Sequence, residues 1–154
     1  MDNCLGRYVV LLALPSRLLR ITHRLGYRSD GQDIARITQE SLREQIGMVP
    51  IRVHKEQPGY VLNSLLVPLL NAASALFVKG VASPEDIDKT WRIATGAPSG
   101  PFQIYDVVGM MTPYNLSKDS ADPVQREFAE ILKRDYIDKG YLGKGSGRGF
   151  YDYR

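Results

Sequence analysis

Few of the side chains that do chemistry occur here, and their spacing narrows the field further. The 154-residue chain has two histidines, His23 and His54, and one cysteine, Cys4. Two histidines without a cysteine cluster or carboxylates at ligand spacing do not make a metal site. His54 and Glu56 fall on one side of an extended segment, the arrangement a general base and its orienting acid would need; in a polar linker they also read as solvated residues. No Gly-x-Ser-x-Gly is present, and no Cys/His pair is expected, since Cys4 sits in the ill-defined N-terminal segment. Asn63 is the polar residue of most interest. It lies between Leu62 and Ser64-Leu65-Leu66 at the start of the most apolar segment. Its amide offers both donor and acceptor, either to a buried backbone group or to a polar ligand.

The glycine-rich tail, Gly143-Lys144-Gly145-Ser146-Gly147-Arg148-Gly149-Phe150-Tyr151, invites a phosphate-loop reading. The spacing fails it. Arg148 and Phe150 stand where the dinucleotide fingerprint needs a glycine, and Lys144 lacks the Ser/Thr that follows a P-loop lysine. A tail that docks Phe150 and Tyr151 on a core fits better.

The elements that must position these residues are well punctuated from residue 30 onward. Asp30 and Asp33 can cap a helix with apolar positions Ile34, Ile37, Leu42 and Ile46, and Gly47 fits beyond its end. Met48–Val53 reads as a short strand, with Pro50 at an edge position. Tyr60–Lys79 carries apolar residues at three- and four-residue spacing on more than one face. Such a helix is central in a bundle or buried at an oligomer interface. Pro68 falls inside it and should kink it. Ser83-Pro84-Glu85-Asp86 starts the next helix, with apolar positions Ile87, Trp91, Ile93 and Ala94, and Gly96 ends it. Pro101 opens a short helix through Val108. A polar loop is expected over 112–121. Asp122-Pro123 then opens a last helix that runs through Val124, Phe128, Ile131, Leu132, Tyr136 and Ile137 to Gly140.

Composition bounds the class. Hydrophobic content of 44% and charged content of 24% suit an ordinary globular domain with one core. A single cysteine excludes a disulfide scaffold. The longest uninterrupted apolar run, Tyr8–Leu14, falls short of the roughly 18 residues of a membrane span, so no membrane partner is expected. Net charge is +3, and it is uneven. Residues 1–29 hold five arginines against one acid, whereas residues 30–154 hold 15 Lys+Arg against 16 Asp+Glu. The body carries no basic stripe, which argues against nucleic acid as a partner.

Several motifs in order carry a resemblance. Gly59-Tyr60-Val61-Leu62-Asn63-Ser64-Leu65-Leu66-Val67-Pro68-Leu69-Leu70-Asn71-Ala72 resembles the opening of the C-terminal domain of NAD-dependent 3-hydroxyacyl-CoA dehydrogenases, the 3-hydroxybutyryl-CoA dehydrogenase family. Gly80, Ser83–Asp88, Gly96–Phe102, Asp106, Gly109 and the closing Gly147-Arg148-Gly149-Phe150-Tyr151 continue it, over about residues 33–154.

That resemblance implies a mainly α fold: a bundle of four or five helices that completes the acyl-CoA site and forms a homodimer through the Tyr60–Lys79 helix. It implies a helix and strand at 33–58 left from the end of a Rossmann domain, and the helical C-terminal domain at 59–154. It also implies oxidation of 3-hydroxyacyl-CoA with NAD as cofactor, in cytoplasmic fatty-acid metabolism. Asn63 matches the family's catalytic, substrate-binding asparagine; Gly100, Pro101 and Phe102 would help wall the acyl pocket. Other expected parts are missing. No Gly-x-Gly-x-x-Gly follows a strand, no His-Phe-x-Asn-Pro-like segment surrounds either histidine, and no glutamate lies between residues 3 and 39. Ser64 stands where relatives commonly carry arginine. Residues 1–32, Arg-rich and matching nothing expected, suggest a shifted or truncated reading frame rather than a transit peptide. The chain alone is expected to be inactive. The alternative is a stand-alone helical dimerisation or acyl-CoA-binding module without catalysis.

Overall fold

The computed structural model describes residues 7–12, 48–53, 55 and 57–154. The proposed helix at 33–46 lies outside them, as do His23, His54, Glu56 and Cys4. Two compact units divide the chain, Met1–Ser64 and Leu65–Arg154.

In the first unit, strand β1 (Arg7–Leu12) pairs antiparallel with β2 (Met48–Val53). Arg7 stands opposite Val53 and Leu12 opposite Met48. The β2 strand is the one expected from sequence. The partner strand is a finding, because the run at residue 8 carries no flanking turn signal of a hairpin.

Five α-helices follow among the described residues: α1 (Tyr60–Val78), α2 (Pro84–Thr95), α3 (Pro101–Val108), α4 (Met111–Ser117) and α5 (Pro123–Ile131). The mainly helical class is as expected. Local chemistry fixes most of the boundaries. Ser83 Oγ accepts from the Asp86 amide at 3.2 Å, with Pro84 at the first position of α2. Asp122 Oδ1 does the same for Val124 at 2.9 Å at the start of α5. Gly96 closes α2 with φ 70°.

Four expectations need correction. Residues 112–121 are not all loop, because α4 occupies Met111–Ser117. No side chain caps α4; the burial of Met110, Pro113 and Ser117 holds it in place. The last helix does not run unbroken to 137. It ends as α-helix at Ile131, widens into a π turn at Leu132–Tyr136 and tightens into a 3-10 turn at Ile137–Lys139. Ile93 is no core position: it is 75% exposed, because it lies on the face of α2 away from buried Ile87. Finally, α1 is long and apolar enough by length and composition to cross a membrane. Asn63, Ser64, Asn71 and Ser74 interrupt its apolar run without lowering its average enough to fail that test.

The helix continues through Pro68. One face, with Leu70, Ala73 and Phe77, packs into the core of the second unit. The opposite stripe of Val61, Leu65, Pro68, Ala72 and Leu76, at helical spacing, is exposed. Aromatic rings fill the core. Phe102 and Phe128 are fully buried, and Phe77 meets both edge-on, at 5.7 and 6.5 Å between centroids. Phe150 from the tail sits 4.8 Å from Phe102 and 4.5 Å from Tyr136. Each fully buried ring, Phe102 and Phe128, stabilises the fold by about 1.5–3 kcal/mol, and the tail docks as expected, with Phe150 half-buried against that core.

Candidate functional site

In the first unit, Asn63 stands in the first turns of α1 and its residue is exposed. Its backbone amide donates to the Gly59 carbonyl at 3.1 Å. Its side-chain amide has no hydrogen-bond partner among the described residues. Among the described residues, then, this amide satisfies no buried backbone group. The chain enters α1 through Gly59 at φ 78° and Tyr60 at φ 51°. Ser64 Oγ donates back to the Tyr60 carbonyl.

The other predicted site residues belong to the second unit and are not on its surface. Gly100, Pro101 and Phe102 are all buried. Gly100 is there for close approach: a Cβ would collide with the carboxyl group of Asp88. That carboxylate accepts from the amides of Phe102 and Gln103, at 2.8 and 2.9 Å, so it caps α3 from a distance of 14 residues in sequence. Gln103 Oε1 in turn accepts from the Gly100 amide at 3.0 Å.

A second buried carboxylate holds the tail. Asp106 accepts from the amides of Phe150 and Tyr151, at 2.8 and 3.0 Å, and from the Tyr153 hydroxyl at 2.9 Å. The Tyr151 hydroxyl donates to Asp88 at 2.9 Å. Burial raises the Asp106 pKa above the usual carboxylate range, against the pull of its three donors. Burial likewise pushes Tyr136 up to about 12, aided by Asp135, Glu85 and Asp106. Tyr151 and Tyr153 are raised first by burial and then by their bonds to Asp88 and Asp106. Both aspartates stand in the motifs that carry the family resemblance, but no role attaches to them there; the physical signal is an acid placed among apolar helix positions.

A cleft of about 420 Å³ opens beside the tail, with Tyr136, Tyr141, Arg148 and Tyr151 in its wall. The Arg148 guanidinium lies over the Tyr141 ring at 4.2 Å. Its two acids are answered locally. Asp135 pairs with Arg134 and Asp152 with Arg154, each at 2.7 Å, and each pairing lowers the acid's pKa. Neither Asn63 nor Gly100–Phe102 lines this cleft. Among the described residues no three His, Cys, Asp or Glu side chains gather to hold a metal ion.

Residues 59–153 match the family described as 3-hydroxyacyl-CoA dehydrogenase, C-terminal domain. The chain belongs to that family, and what it carries of it is the C-terminal domain. It is 37% identical over 117 residues to the probable 3-hydroxybutyryl-CoA dehydrogenase of Bacillus subtilis, a match that covers 73% of this chain and 40% of that protein. It is 35% identical over 105 residues to the mitochondrial hydroxyacyl-coenzyme A dehydrogenase of Homo sapiens, covering 65% of this chain and 33% of that one. Among solved structures it resembles a diketoreductase described for substrate-directed dual catalysis of dicarbonyl compounds. There the identity is 55% and the TM-score 0.74, over 86% of this chain and 46% of the other. The chain thus spans less than half the length of these relatives.

NAD is the cofactor that the family implies. The described residues do not fit it. β1 is followed in sequence by Ala13-Leu14-Pro15 and not by a glycine-rich turn, and two glycines of the tail, Gly143 and Gly149, serve close packing against Asp106.

Proposed function

We propose that this chain is the substrate-completing and dimer-forming C-terminal domain of a dehydrogenase that interconverts 3-hydroxyacyl and 3-oxoacyl groups. The observation that carries the reading is the family match over residues 59–153, in which Asn63 presents an exposed amide at the start of α1 with no partner among the described residues. A side-chain amide can donate to a carbonyl oxygen and accept from a hydroxyl, so it can serve both oxidation states of such a substrate. The base, its orienting acid and the NAD site are supplied by residues outside this domain. The exposed stripe of Val61, Leu65, Pro68, Ala72 and Leu76 is self-complementary in a two-fold pair and supports a homodimer through α1. Gly100, Pro101 and Phe102 support the acyl pocket from behind, by shaping α3 in the core. The setting is cytoplasmic fatty-acid metabolism.

A second reading concerns the substrate. Identity to the diketoreductase, 55%, exceeds that to the Bacillus subtilis and human proteins, 37% and 35%. This favours free dicarbonyl compounds as substrates, with no CoA thioester required.

Calorimetric titration with acetoacetyl-CoA and with ethyl acetoacetate, on wild type and Asn63→Ala, tests both readings. Binding of either that weakens in Asn63→Ala is expected; the ligand that binds more tightly names the substrate class. NADH oxidation by the chain alone should not exceed that of the Asn63→Ala control. Turnover that falls in Asn63→Ala would overturn the assignment of base and cofactor site to residues outside this domain.

A further inference from the structure

The entry into α1 is strained. Among the described residues Tyr60 is the non-glycine residue with positive φ, at 51°. A tyrosine in the left-handed region is uncommon, and such outliers collect at functional sites. Gly59 before it is also left-handed, at 78°. Glycine suits Gly59 twice over. Its φ disfavours a side chain, and a Cβ there would stand 3.2 Å from the Asn63 Cβ. The Tyr60 amide donates to the Gln57 carbonyl at 2.9 Å. Ser64 closes the corner from above, with its hydroxyl on the Tyr60 carbonyl and at 3.5 Å from the Pro58 carbonyl. Two left-handed residues, one turn-closing amide and one serine brace thus converge on the start of α1, where Asn63 stands exposed.

We propose that the Gly59–Tyr60 corner, braced by Ser64, is a positioning element for Asn63. It fixes where α1 begins and therefore the direction in which the Asn63 amide meets a substrate oxygen. This rests on the reading of Asn63 given above. An ordinary right-handed entry would start the helix at a different rotation, and each residue of shift turns Asn63 by about 100° around the axis. Tyr60 and Ser64 are positioning residues; they act through Asn63.

The test uses the whole chain, isotope-labelled, with three substitutions at Tyr60. Glycine and asparagine tolerate the left-handed region, whereas a β-branched valine does not. The nuclear Overhauser contact between Gly59 Hα and Asn63 Hβ reads the geometry. Resonances of Phe102 and Phe128 report that the core is intact. Tyr60→Gly and Tyr60→Asn should keep the contact. Tyr60→Val should lose it with the core unchanged, and its affinity for acetoacetyl-CoA should fall about five- to tenfold, the loss of one well-aimed hydrogen bond. Ser64→Ala should fall between. The contact surviving in Tyr60→Val overturns the proposal. So does wild-type affinity in Tyr60→Val when Asn63→Ala binds weakly. Equal binding by wild type and Asn63→Ala, or no binding by either, refutes the reading of Asn63 instead, and the positioning role with it.

Discussion

The tail around Asp106 and the corner before Asn63 handle polar groups in opposite ways. Asp106 is 1% exposed and accepts from three donors, two of them backbone amides. Asp88, 2% exposed, likewise accepts two amides and a phenol. No buried side-chain polar atom lacks a partner among the described residues. At the corner, by contrast, an exposed amide has no partner among the described residues and a tyrosine is held in an unfavourable backbone region. The difference separates what holds the domain together from what remains available to a ligand. A satisfied buried network contributes stability and specifies one packing; an unsatisfied, braced amide contributes nothing to stability.

That contrast breaks if a core residue proves to be a ligand contact. Phe102→Ala should cost about 3–5 kcal/mol, because it empties a fully enclosed site in the core. Urea unfolding should show the midpoint falling with little change in slope. Phe102→Leu, milder in volume, should lower stability while acetoacetyl-CoA binding stays within about twofold. A large loss of affinity with stability intact would place Phe102 in the acyl pocket and not behind it.

Asp106→Ala comes next. It leaves the amides of Phe150 and Tyr151 without partners, and an unpaired buried donor costs about 1–3 kcal/mol. The expected loss is about 2–4 kcal/mol by urea midpoint, with Phe150 and Tyr151 detaching first. If hydrogen exchange shows these two amides as well protected as in wild type, another acceptor holds the tail.

The phenols sharpen the same point through pH. Tyr136 is raised to about 12, and Tyr105, Tyr151 and Tyr153 are also raised, in each case chiefly by burial. The folded state therefore keeps these protons after the unfolded chain has begun to lose them near pH 10. More protons bound when folded means that stability falls as pH rises. Stability should be level up to about pH 9 and decline from about 10 to 12. Absorbance at 295 nm should show these tyrosines ionising only as the protein unfolds. Ionisation of all nine tyrosines near pH 10 with the fold intact would mean that the tail is not seated as described.

Some of this was legible in the chain and some was not, for physical reasons. Ser83-Pro84 and Asp122-Pro123 announce α2 and α5 because cap and helix are adjacent in sequence. The apolar period of α1 and the docking aromatics of the tail are local patterns too. α4 carries no such signal: its N-cap position is Met110 in helical conformation with no side-chain bond, and tertiary burial overrides its polar composition. The π turn at Leu132–Tyr136 leaves no mark on the apolar spacing. The roles of Asp88 and Asp106 depend on partners 14 to 63 residues away, which no window along the sequence can pair. At the candidate site Asn63 stood out as an amide among apolar residues. The left-handed Tyr60 did not, since tyrosine gives no hint of positive φ.

The smallest effect on stability is expected at Asn63, and its sign decides the comparison. The residue is exposed in the first turns of a helix and its side chain has no partner among the described residues. Asparagine is a poorer helix former than alanine by up to about 0.7 kcal/mol. Asn63→Ala should therefore raise the unfolding midpoint slightly, by no more than about 0.5 kcal/mol, while it weakens binding of acetoacetyl-CoA. A gain in stability bought with a loss of binding is the pattern of a residue kept for function. If Asn63→Ala instead costs 1 kcal/mol or more, a figure typical of a lost buried hydrogen bond, the amide has a structural partner. The corner would then belong with Asp88 and Asp106, and the division between the two regions would fail at the residue on which it rests.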